Sequence, residues 1–380
     1  MARTIRHQVS RLARVFCVTV IAVVAFVSLS GVAGAAGPLP NQNAIYTITN
    51  ATSGNQVVAF TRNADGTLSK AATYETGELG TGVNLGSQGS VVLSEDGRWL
   101  LAVDAGSNAV SVFSVAADGE GLTLIDNVPS GGQMPVSIAY YHHLVYVLNA
   151  GGNGNITGFR LGSDGTLLQI PESTRGLGSD NAGPAEVSFN SNGTALVVTE
   201  KNTNDIATYT LVGAGYVSPP TITPSNGAVP FGFAFDNANH AFVSEAGPGA
   251  VSPYWVGNDG SVTSISATVV THQVAACWVV VTNNGRFVYD ANAHTTSISG
   301  FRVGANGSIT LLNANGITGE TGPGSAPIDM ALSSNSQYLS VLSAANGTIV
   351  TFKVDPDGSL TRLSITHDAS LNGAVGLAAQ

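Results

Sequence analysis

A unit that repeats seven times along the chain constrains the fold more than any other feature. In every copy a β-branched residue stands three positions before an aromatic residue, and a glycine stands six positions after it. The aromatic residues recur at intervals of 45–53 residues and are Phe60, Phe113, Phe159, Tyr209, Tyr254, Phe301 and Phe352. The glycines are Gly66, Gly119, Gly165, Gly215, Gly260, Gly307 and Gly358. Offsets kept through seven copies identify a repeat protein whose units pack on one another.

Each copy carries the pattern of four short strands. An Asp-Gly or Asn-Gly pair follows the aromatic residue in six copies and closes a tight hairpin, because glycine reaches a positive φ without a Cβ clash. Two apolar segments precede this hairpin, and the first often opens with proline, as in Pro184–Phe189 and Pro230–Phe235. A β-solenoid needs shorter coils, and a two-sheet sandwich does not repeat seven times. The sequence therefore predicts an all-β, seven-bladed β-propeller with four antiparallel strands per blade.

The two ends of the repeat region predict how the ring closes. The first copy, residues 43–77, lacks the strand that opens the other copies. The last residues, 372–379, resemble that missing strand and have no partners of their own. We expect the C-terminal strand to complete the first blade, since closure removes the open sheet edges. Residues 43–380 then form a single propeller domain.

The first 35 residues have the composition of a secretory signal peptide. Four arginines precede an almost wholly apolar run from Val15 to Ser30, and Ala33-Gly34-Ala35 supplies a small-x-small cleavage pattern. Residues 36–42 form a short linker. The alternative is a retained membrane anchor. We expect a secreted, extracellular protein, or a periplasmic one in a Gram-negative host.

The charge balance argues against two classes of partner. Four of the 14 Lys and Arg residues and none of the 24 Asp and Glu residues lie in the predicted signal, so residues 36–380 carry a formal charge of −14. Nucleic acids and anionic membranes attract basic surfaces, so we expect neither as a partner. Cys277 is the single cysteine that remains after cleavage, which excludes an internal disulfide. We expect a monomer without a cofactor or metal.

Polar residues gather on one face of the predicted ring, which we name the upper face. It holds the loops that follow the second strand of each blade and those that precede the first. We predict catalytic roles in proton transfer or substrate positioning for Glu200, Glu245, His272 and His294. We predict substrate-binding roles on the same face for Asp104, Asn149 and Gln133.

The innermost strands predict a second group of polar residues. Matching the copies places Glu186, Trp278 and Asp329 at equivalent positions, where they point into the central channel. Neighbouring buried carboxyl groups titrate at raised pH and can act as bases or metal ligands. The alternative is a pair of solvated acids in a wet channel. We predict that Glu186 and Asp329 contribute to substrate binding.

The amino-acid sequence of the repeat resembles that of a known family. The residues Ser94-Glu95-Asp96-Gly97-Arg98-Trp99-Leu100-Leu101-Ala102-Val103, then Asn108–Phe113, then Asp118-Gly119 resemble the seven-bladed lactonases. That family includes 6-phosphogluconolactonases and carboxymuconate-lactonising enzymes, and the resemblance runs from about Ala44 to the C-terminus. It implies the propeller fold and chemistry on lactones. Family enzymes typically read Gly-Pro-Arg-His where this chain has Gly183-Pro184-Ala185-Glu186, whereas Glu200 fits the glutamate that the family places at the end of the next strand.

Together these observations predict a secreted, lactonase-like propeller that hydrolyses or forms a neutral lactone or cyclic ester. Its ligand is a small lactone or a carbohydrate-derived molecule, and Glu200 is the general base or acid. The alternative is a non-catalytic extracellular binding or scaffold propeller that has lost the Arg and His of the family. The sequence leaves open whether the protein is an enzyme.

Overall fold

A computed structural model describes residues 43–117 and 121–380. The predicted signal peptide, the linker 36–42 and the predicted hairpin at Asp118-Gly119 lie outside these residues. In the described part, no helix has both the length and the apolar character needed to cross a bilayer. The strands of the described residues form seven separate sheets, and neighbouring strands in each sheet are antiparallel.

The strands of the first four blades follow the predicted repeat. Blade 1 contains β1 (Ala44–Ile48), β2 (Gln56–Arg62) and β3 (Leu68–Glu75). Blade 2 contains β4 (Val91–Leu93), β5 (Trp99–Asp104), β6 (Ala109–Val115) and β7 (Leu122–Pro129). Blade 3 contains β8 (Pro135–Tyr141), β9 (Leu144–Asn149), β10 (Asn155–Leu161), β11 (Leu167–Gln169) and β12 (Arg175–Gly176). Blade 4 contains β13 (Pro184–Phe189), β14 (Ala195–Glu200), β15 (Asp205–Gly213), β16 (Tyr216–Val217) and β17 (Thr221–Pro224).

The last three blades are built in the same way. Blade 5 contains β18 (Pro230–Phe235), β19 (His240–Glu245), β20 (Ala250–Val256), β21 (Val262–Ser264) and β22 (Val269–Val270). Blade 6 contains β23 (Ala276–Val281), β24 (Phe287–Asn292), β25 (Ser297–Val303), β26 (Ile309–Leu311) and β27 (Gly319–Glu320). Blade 7 contains β28 (Pro327–Leu332), β29 (Tyr338–Ser343), β30 (Thr348–Val354) and β31 (Leu360–His367). A short 3₁₀ helix (Ala369–Leu371) leads to β32 (Val375–Ala379). In blades 3 to 6 two short strands share the outer edge, as β11 and β12 do against β10.

The C-terminal strand closes the ring. Blade 1 has the strand order β3-β2-β1-β32, so β32 takes the innermost position that the first strand of every other blade occupies. Ile45 pairs with Ala379 and Ile48 pairs with Val375. The other side of β32 packs against β4 of blade 2 and β28 of blade 7. The predicted fold class, including closure through the first blade, is confirmed.

The repeated residues hold adjacent blades together. The seven repeat aromatics are buried within the sheets, with Phe113, Tyr209 and Phe301 fully inaccessible. The hairpin glycines serve packing as well as turn geometry. A Cβ on Gly165 of blade 3 would lie 2.4 Å from the Trp99 ring of blade 2, and one on Gly358 of blade 7 would lie 2.4 Å from the Phe287 ring of blade 6. The repeat therefore encodes contacts between blades as well as each hairpin.

Candidate functional site

The polar residues that end the second strands are buried. Asp104, Asn149, Glu200 and Glu245 occupy the last position of β5, β9, β14 and β19, and their side chains are inaccessible to solvent. Sequence analysis predicted Glu200 and Glu245 as catalytic and the other two as substrate-binding. The structure places all four in the protein interior beneath the upper loops.

Each of these side chains holds a neighbouring loop. Glu200 Oε1 accepts a hydrogen bond from the Gly178 amide at 2.8 Å, and Oε2 accepts one from Thr203 Oγ1 at 3.3 Å. Glu245 Oε1 accepts a hydrogen bond from Ser225 Oγ at 2.7 Å. Gly178 and Ser225 lie in the connections that enter blades 4 and 5 from the preceding blade. Each of the two glutamates therefore links its own blade, through a hydrogen bond, to the connection from the preceding blade.

Asp104 and Asn149 play the same structural part. Asp104 accepts hydrogen bonds from Asn55 Nδ2 of blade 1 at 2.8 Å and from Ser111 Oγ at 2.6 Å. Asn149 Nδ2 donates to the Ser130 carbonyl in the connection from blade 2. Burial raises the pKa of Asp104, as it does for Glu200 and Glu245, because a charged carboxylate loses its hydration in the interior.

The remaining predicted rim residues lie at the surface. His272 and His294 are exposed and sit on neighbouring loops of blade 6, where the His294 amide donates to the Val274 carbonyl at 3.3 Å. Gln133 is exposed on the loop that enters blade 3. Among the described residues, no hydrogen bond joins these side chains to Glu200 or Glu245. These predicted rim residues thus belong to four consecutive blades, blades 3 to 6, and their side chains are not hydrogen-bonded to one another in the described part of the chain.

A segment that sequence analysis missed crosses the upper end of the central channel. We name residues 84–90, which precede β4, the axial segment. The Gln88 side chain donates to the Val279 carbonyl at 2.8 Å and accepts from the Val279 amide at 2.9 Å. Trp278 Nε1 donates to the Ser87 carbonyl at 2.9 Å. Trp278, predicted to line the channel, therefore anchors the segment that covers it.

Further contacts tie the axial segment to blades 3 and 4. The Ile138 amide donates to the Gly89 carbonyl at 2.9 Å, and the Gln88 amide donates to the Ala185 carbonyl at 3.1 Å. Lys201 Nζ donates to the Gly86 carbonyl at 2.5 Å and lies 4.9 Å from the centre of the Phe231 ring. Burial lowers the pKa of Lys201 to about 8. The signal for this segment was the connection from β3 to β4, residues 76–90, which is longer than the connection from β7 to β8, residues 130–134.

Below Gln88 the channel contains a cavity of about 270 Å³, which we name the channel cavity. Glu186 and Asp329 line it from β13 and β28, and Tyr140 lines it near the lower end of β8. Glu186 Oε2 accepts a hydrogen bond from the Phe233 amide at 2.7 Å. Asp329 Oδ1 accepts one from the Met330 amide at 2.8 Å, and the Leu377 amide of β32 also faces this carboxyl group. Both acids that matching of the repeats placed in the channel thus line one cavity.

The channel cavity disfavours negative charge. Burial raises the pKa of Asp329 to about 8, so this carboxyl group keeps its proton at neutral pH. Burial also raises the pKa of Glu186 well above its ordinary value, and the nearby Asp329 adds to the shift. The amide of Phe233 opposes this shift, because its hydrogen bond favours the ionised form of Glu186. Both carboxyl groups of the cavity therefore favour the protonated form.

A metal centre and a reactive thiol are two other kinds of site that these residue types could form. The described residues contain no group of three or more His, Cys, Asp or Glu side chains placed to hold a metal ion. The Cys277 thiol is buried, and this burial raises its pKa, which disfavours the reactive thiolate.

Comparison with known families agrees with the fold. The family described as lactonase, 7-bladed β-propeller, matches residues 39–177 and 258–375, which is more than half of the chain. The chain belongs to this family. The unmatched residues 178–257 contain β13–β20, and with them Glu186, Glu200 and Glu245. The unmatched region therefore includes Ala185 and Glu186, which stand where the resemblance implies Arg and His.

Solved structures of lactonase-like proteins share the architecture. A candidate 6-phosphogluconolactonase from Bacteroides uniformis is 21% identical with a TM-score of 0.71, and the alignment covers 88% of this chain and 98% of that one. A second candidate from Bacteroides fragilis is 20% identical with a TM-score of 0.69 and coverage of 88% and 97%. The periplasmic gluconolactonase of Pseudomonas aeruginosa is 17% identical with a TM-score of 0.69 and coverage of 88% and 98%. A comparison with proteins of curated function finds no match.

Proposed function

We propose that this protein is a secreted hydrolase of a small neutral lactone and that the reaction takes place in the channel cavity. The observation that carries the proposal is the pairing of Glu186 and Asp329 in one cavity, with both side chains buried. The cavity volume of about 270 Å³ suits a small ring. The two acids of the channel cavity disfavour an anionic substrate at this site. Secretion rests on the N-terminal composition alone.

The two acids divide the proton transfers of hydrolysis. Hydrolysis needs one of the two carboxyl groups in its ionised form, and the hydrogen bond from the Phe233 amide favours Glu186 for that role. Glu186 then takes a proton from a water molecule, whose oxygen bonds to the carbonyl carbon of the lactone. Protonated Asp329 donates to the ring oxygen as the bond between that oxygen and the carbonyl carbon breaks. The product is a hydroxy acid, and proton exchange with solvent restores the starting pair. Substrate enters from the lower face, because the axial segment covers the upper end of the channel.

Kinetics on a lactone panel test this site. The panel contains γ-butyrolactone, δ-valerolactone and glucono-δ-lactone, and acid release is followed with a pH indicator. We expect Glu186→Gln and Asp329→Asn each to lower kcat/KM by about 100-fold or more, since each removes one proton transfer. Melting temperatures of the variants confirm that they remain folded.

The variant Glu200→Gln distinguishes the channel from the upper rim that the sequence predicted. If the channel is the site, Glu200→Gln alters stability through the hydrogen bond to the Gly178 amide and leaves kcat close to the wild-type value. Loss of activity in folded Glu200→Gln, together with full activity in Glu186→Gln, would move the site to the upper rim.

A non-catalytic binding propeller is the second candidate function. It is favoured by the axial segment over the upper opening and by Ala185, a fully buried residue at the position where family enzymes have Arg. For this candidate, no lactone of the panel is hydrolysed, and a ligand raises the melting temperature without turnover.

A further inference from the structure

A groove between blades 6 and 7 opens on the lower face, away from the channel. It has a volume of about 440 Å³, and we name it the blade 6–7 groove. The turns before β24 and before β29 line it, together with the end of β30. The two turns are joined directly, since the Asn283 amide donates to Ser336 Oγ at 2.9 Å. The groove is thus formed by two packed turns of neighbouring blades.

Turn geometry leaves hydrogen-bond donors facing the groove. Asn284 Oδ1 accepts from Thr282 Oγ1 at 2.8 Å and from the Arg286 amide at 3.0 Å. Asn335 Oδ1 accepts in the same way from Ser333 Oγ at 2.8 Å and from the amide of the residue two positions later at 3.0 Å. The acceptor oxygen of each asparagine is therefore used inside its own turn. The Nδ2 groups, which can only donate, have no partner among the described residues.

Arg286 adds an unpaired positive charge to these donors. Its guanidinium lies 5.2 Å from the centre of the Phe287 ring and has no hydrogen bond or ion pair among the described residues. Asp355, the acidic residue of the groove, is already held by Lys353 Nζ at 2.6 Å and by Thr361 Oγ1 at 2.7 Å. The free charge of the groove is consequently that of Arg286.

The equivalent turn of blade 2 shows why Arg286 is free. There Asp96-Gly97-Arg98 stands where blade 6 has Asn284-Gly285-Arg286, and Arg98 Nε donates to Asp96 Oδ2 at 2.7 Å. The Asp96 carboxylate of blade 2 accepts the hydrogen bonds of its turn and also forms an ion pair with Arg98. The Asn284 side-chain oxygen accepts the same hydrogen bonds in its turn, but a neutral amide cannot pair with the charge of the arginine. The replacement of Asp by Asn therefore releases a guanidinium into the groove.

We propose that the blade 6–7 groove is a binding site for the oxyanion of a small molecule, either a carboxylate or a phosphate. A guanidinium presents a planar fork of donors that matches both anions, and the two amide groups extend the set of donors. The groove is separate from the channel cavity, so this site is independent of the proposed lactone hydrolysis.

Titration calorimetry with three sugars tests the site. D-Glucuronate carries a carboxylate, D-glucose 6-phosphate carries a phosphate, and D-glucose carries neither charge. We expect one or both anions to bind, with affinity falling as NaCl is added, and glucose not to bind. The stronger anion identifies the class of ligand. Absence of binding by both anions, or equal binding of glucose, would overturn the proposal.

Two variants and a matched control locate the binding. Arg286→Met removes the charge, and Asn284→Asp rebuilds the pairing of blade 2 while keeping the arginine. We expect each to weaken anion binding by about tenfold or more. Arg98→Met removes an arginine that is already paired, and wild-type affinity is expected.

The variants also supply results that contradict the site. Wild-type affinity in Asn284→Asp, or an equal loss in Arg98→Met, would show that Arg286 does not form it. Melting temperatures verify folding. If Arg286→Met unfolds, Arg286→Lys replaces it, and this variant is also expected to bind more weakly because it keeps the charge without the fork.

Discussion

At the scale of single residues, several acids of this protein are held where their charge is disfavoured. Burial raises the pKa of Asp329 and Glu186 in the channel. Asp290 in β24 is a third case, since both its carboxyl oxygens are buried without a partner among the described residues. Burial raises its pKa well above the ordinary value. A buried carboxyl group with no cation beside it keeps its proton rather than its charge.

Stability should therefore fall as pH rises. The pKa of Asp329 is about 8 in the folded state against 3.8 for an unperturbed group, so the folded state holds a proton that the unfolded state releases. The stabilisation is complete below about pH 4 and is lost as pH rises toward 8, by at most about 1.4 kcal/mol per pH unit. Urea unfolding from pH 4 to pH 9 should show a shallower fall for Asp329→Asn than for the wild type.

The control for this pH dependence is an exposed acid. Asp65→Asn alters a hairpin carboxyl whose pKa is lowered by hydrogen bonds from Thr67, so the slope above pH 5 should match the wild type. Parallel curves for Asp329→Asn and the wild type would show that Asp329 is not buried as a neutral acid.

At the scale of elements, the axial segment has the clearest structural role outside the repeat. It is a connection without a strand of its own, yet it hydrogen-bonds to the inner strands of blades 3, 4 and 6. Its backbone carbonyls are satisfied by side chains that the blades supply, as in the bonds from Trp278 and Lys201. This connection thereby joins the inner strands of three blades across the upper end of the channel.

Removing the anchor of this segment should destabilise the fold. Gln88→Ala deletes both hydrogen bonds to Val279 and leaves buried backbone groups without partners. We expect a loss of about 2–4 kcal/mol in the free energy of unfolding. Val83→Ala, at an exposed side chain just before the segment, should change it by less than about 0.5 kcal/mol. Equal values for the two variants in urea unfolding would refute the anchoring role.

At the scale of the whole molecule, stability depends on closing the ring. Strand β32 supplies the inner edge of blade 1 and also packs on the two blades beside it. Gly376 allows this close approach. A Cβ there would lie 2.9 Å from the Val91 amide nitrogen of blade 2, and Gly373 just before the strand has open space instead.

These two glycines give a matched test of closure. Both have a positive φ, 72° at Gly376 and 77° at Gly373, so an alanine suffers similar backbone strain at either position. The clash with blade 2 is present only at Gly376. We expect Gly376→Ala to cost roughly 2 kcal/mol more than Gly373→Ala in urea unfolding. Equal costs would mean that β32 does not pack tightly on blade 2.

The fold could be predicted because its determinants are local and repeated. Each hairpin glycine and each buried aromatic recurs at a constant offset, so seven copies reinforced one interpretation. The same matching placed Glu186 and Asp329 in the channel, since the register of a strand determines which side chains point inward. The predicted carboxyl pair and the ring closure both follow from the repeat.

The features that could not be predicted depend on parts of the chain that do not repeat. Glu200 and Glu245 stand at the predicted strand ends, but connections from the preceding blades fold over them and bury their side chains. The axial segment has no counterpart in the other copies, so matching of the copies gave no register for it. Arg286 is free because Asn284, two positions before it, stands where the turn of blade 2 has an acid, and this consequence emerges only when the pairings in both turns are known. Periodic residues determine the scaffold through local geometry, whereas access and charge at each site depend on contacts between segments distant in sequence.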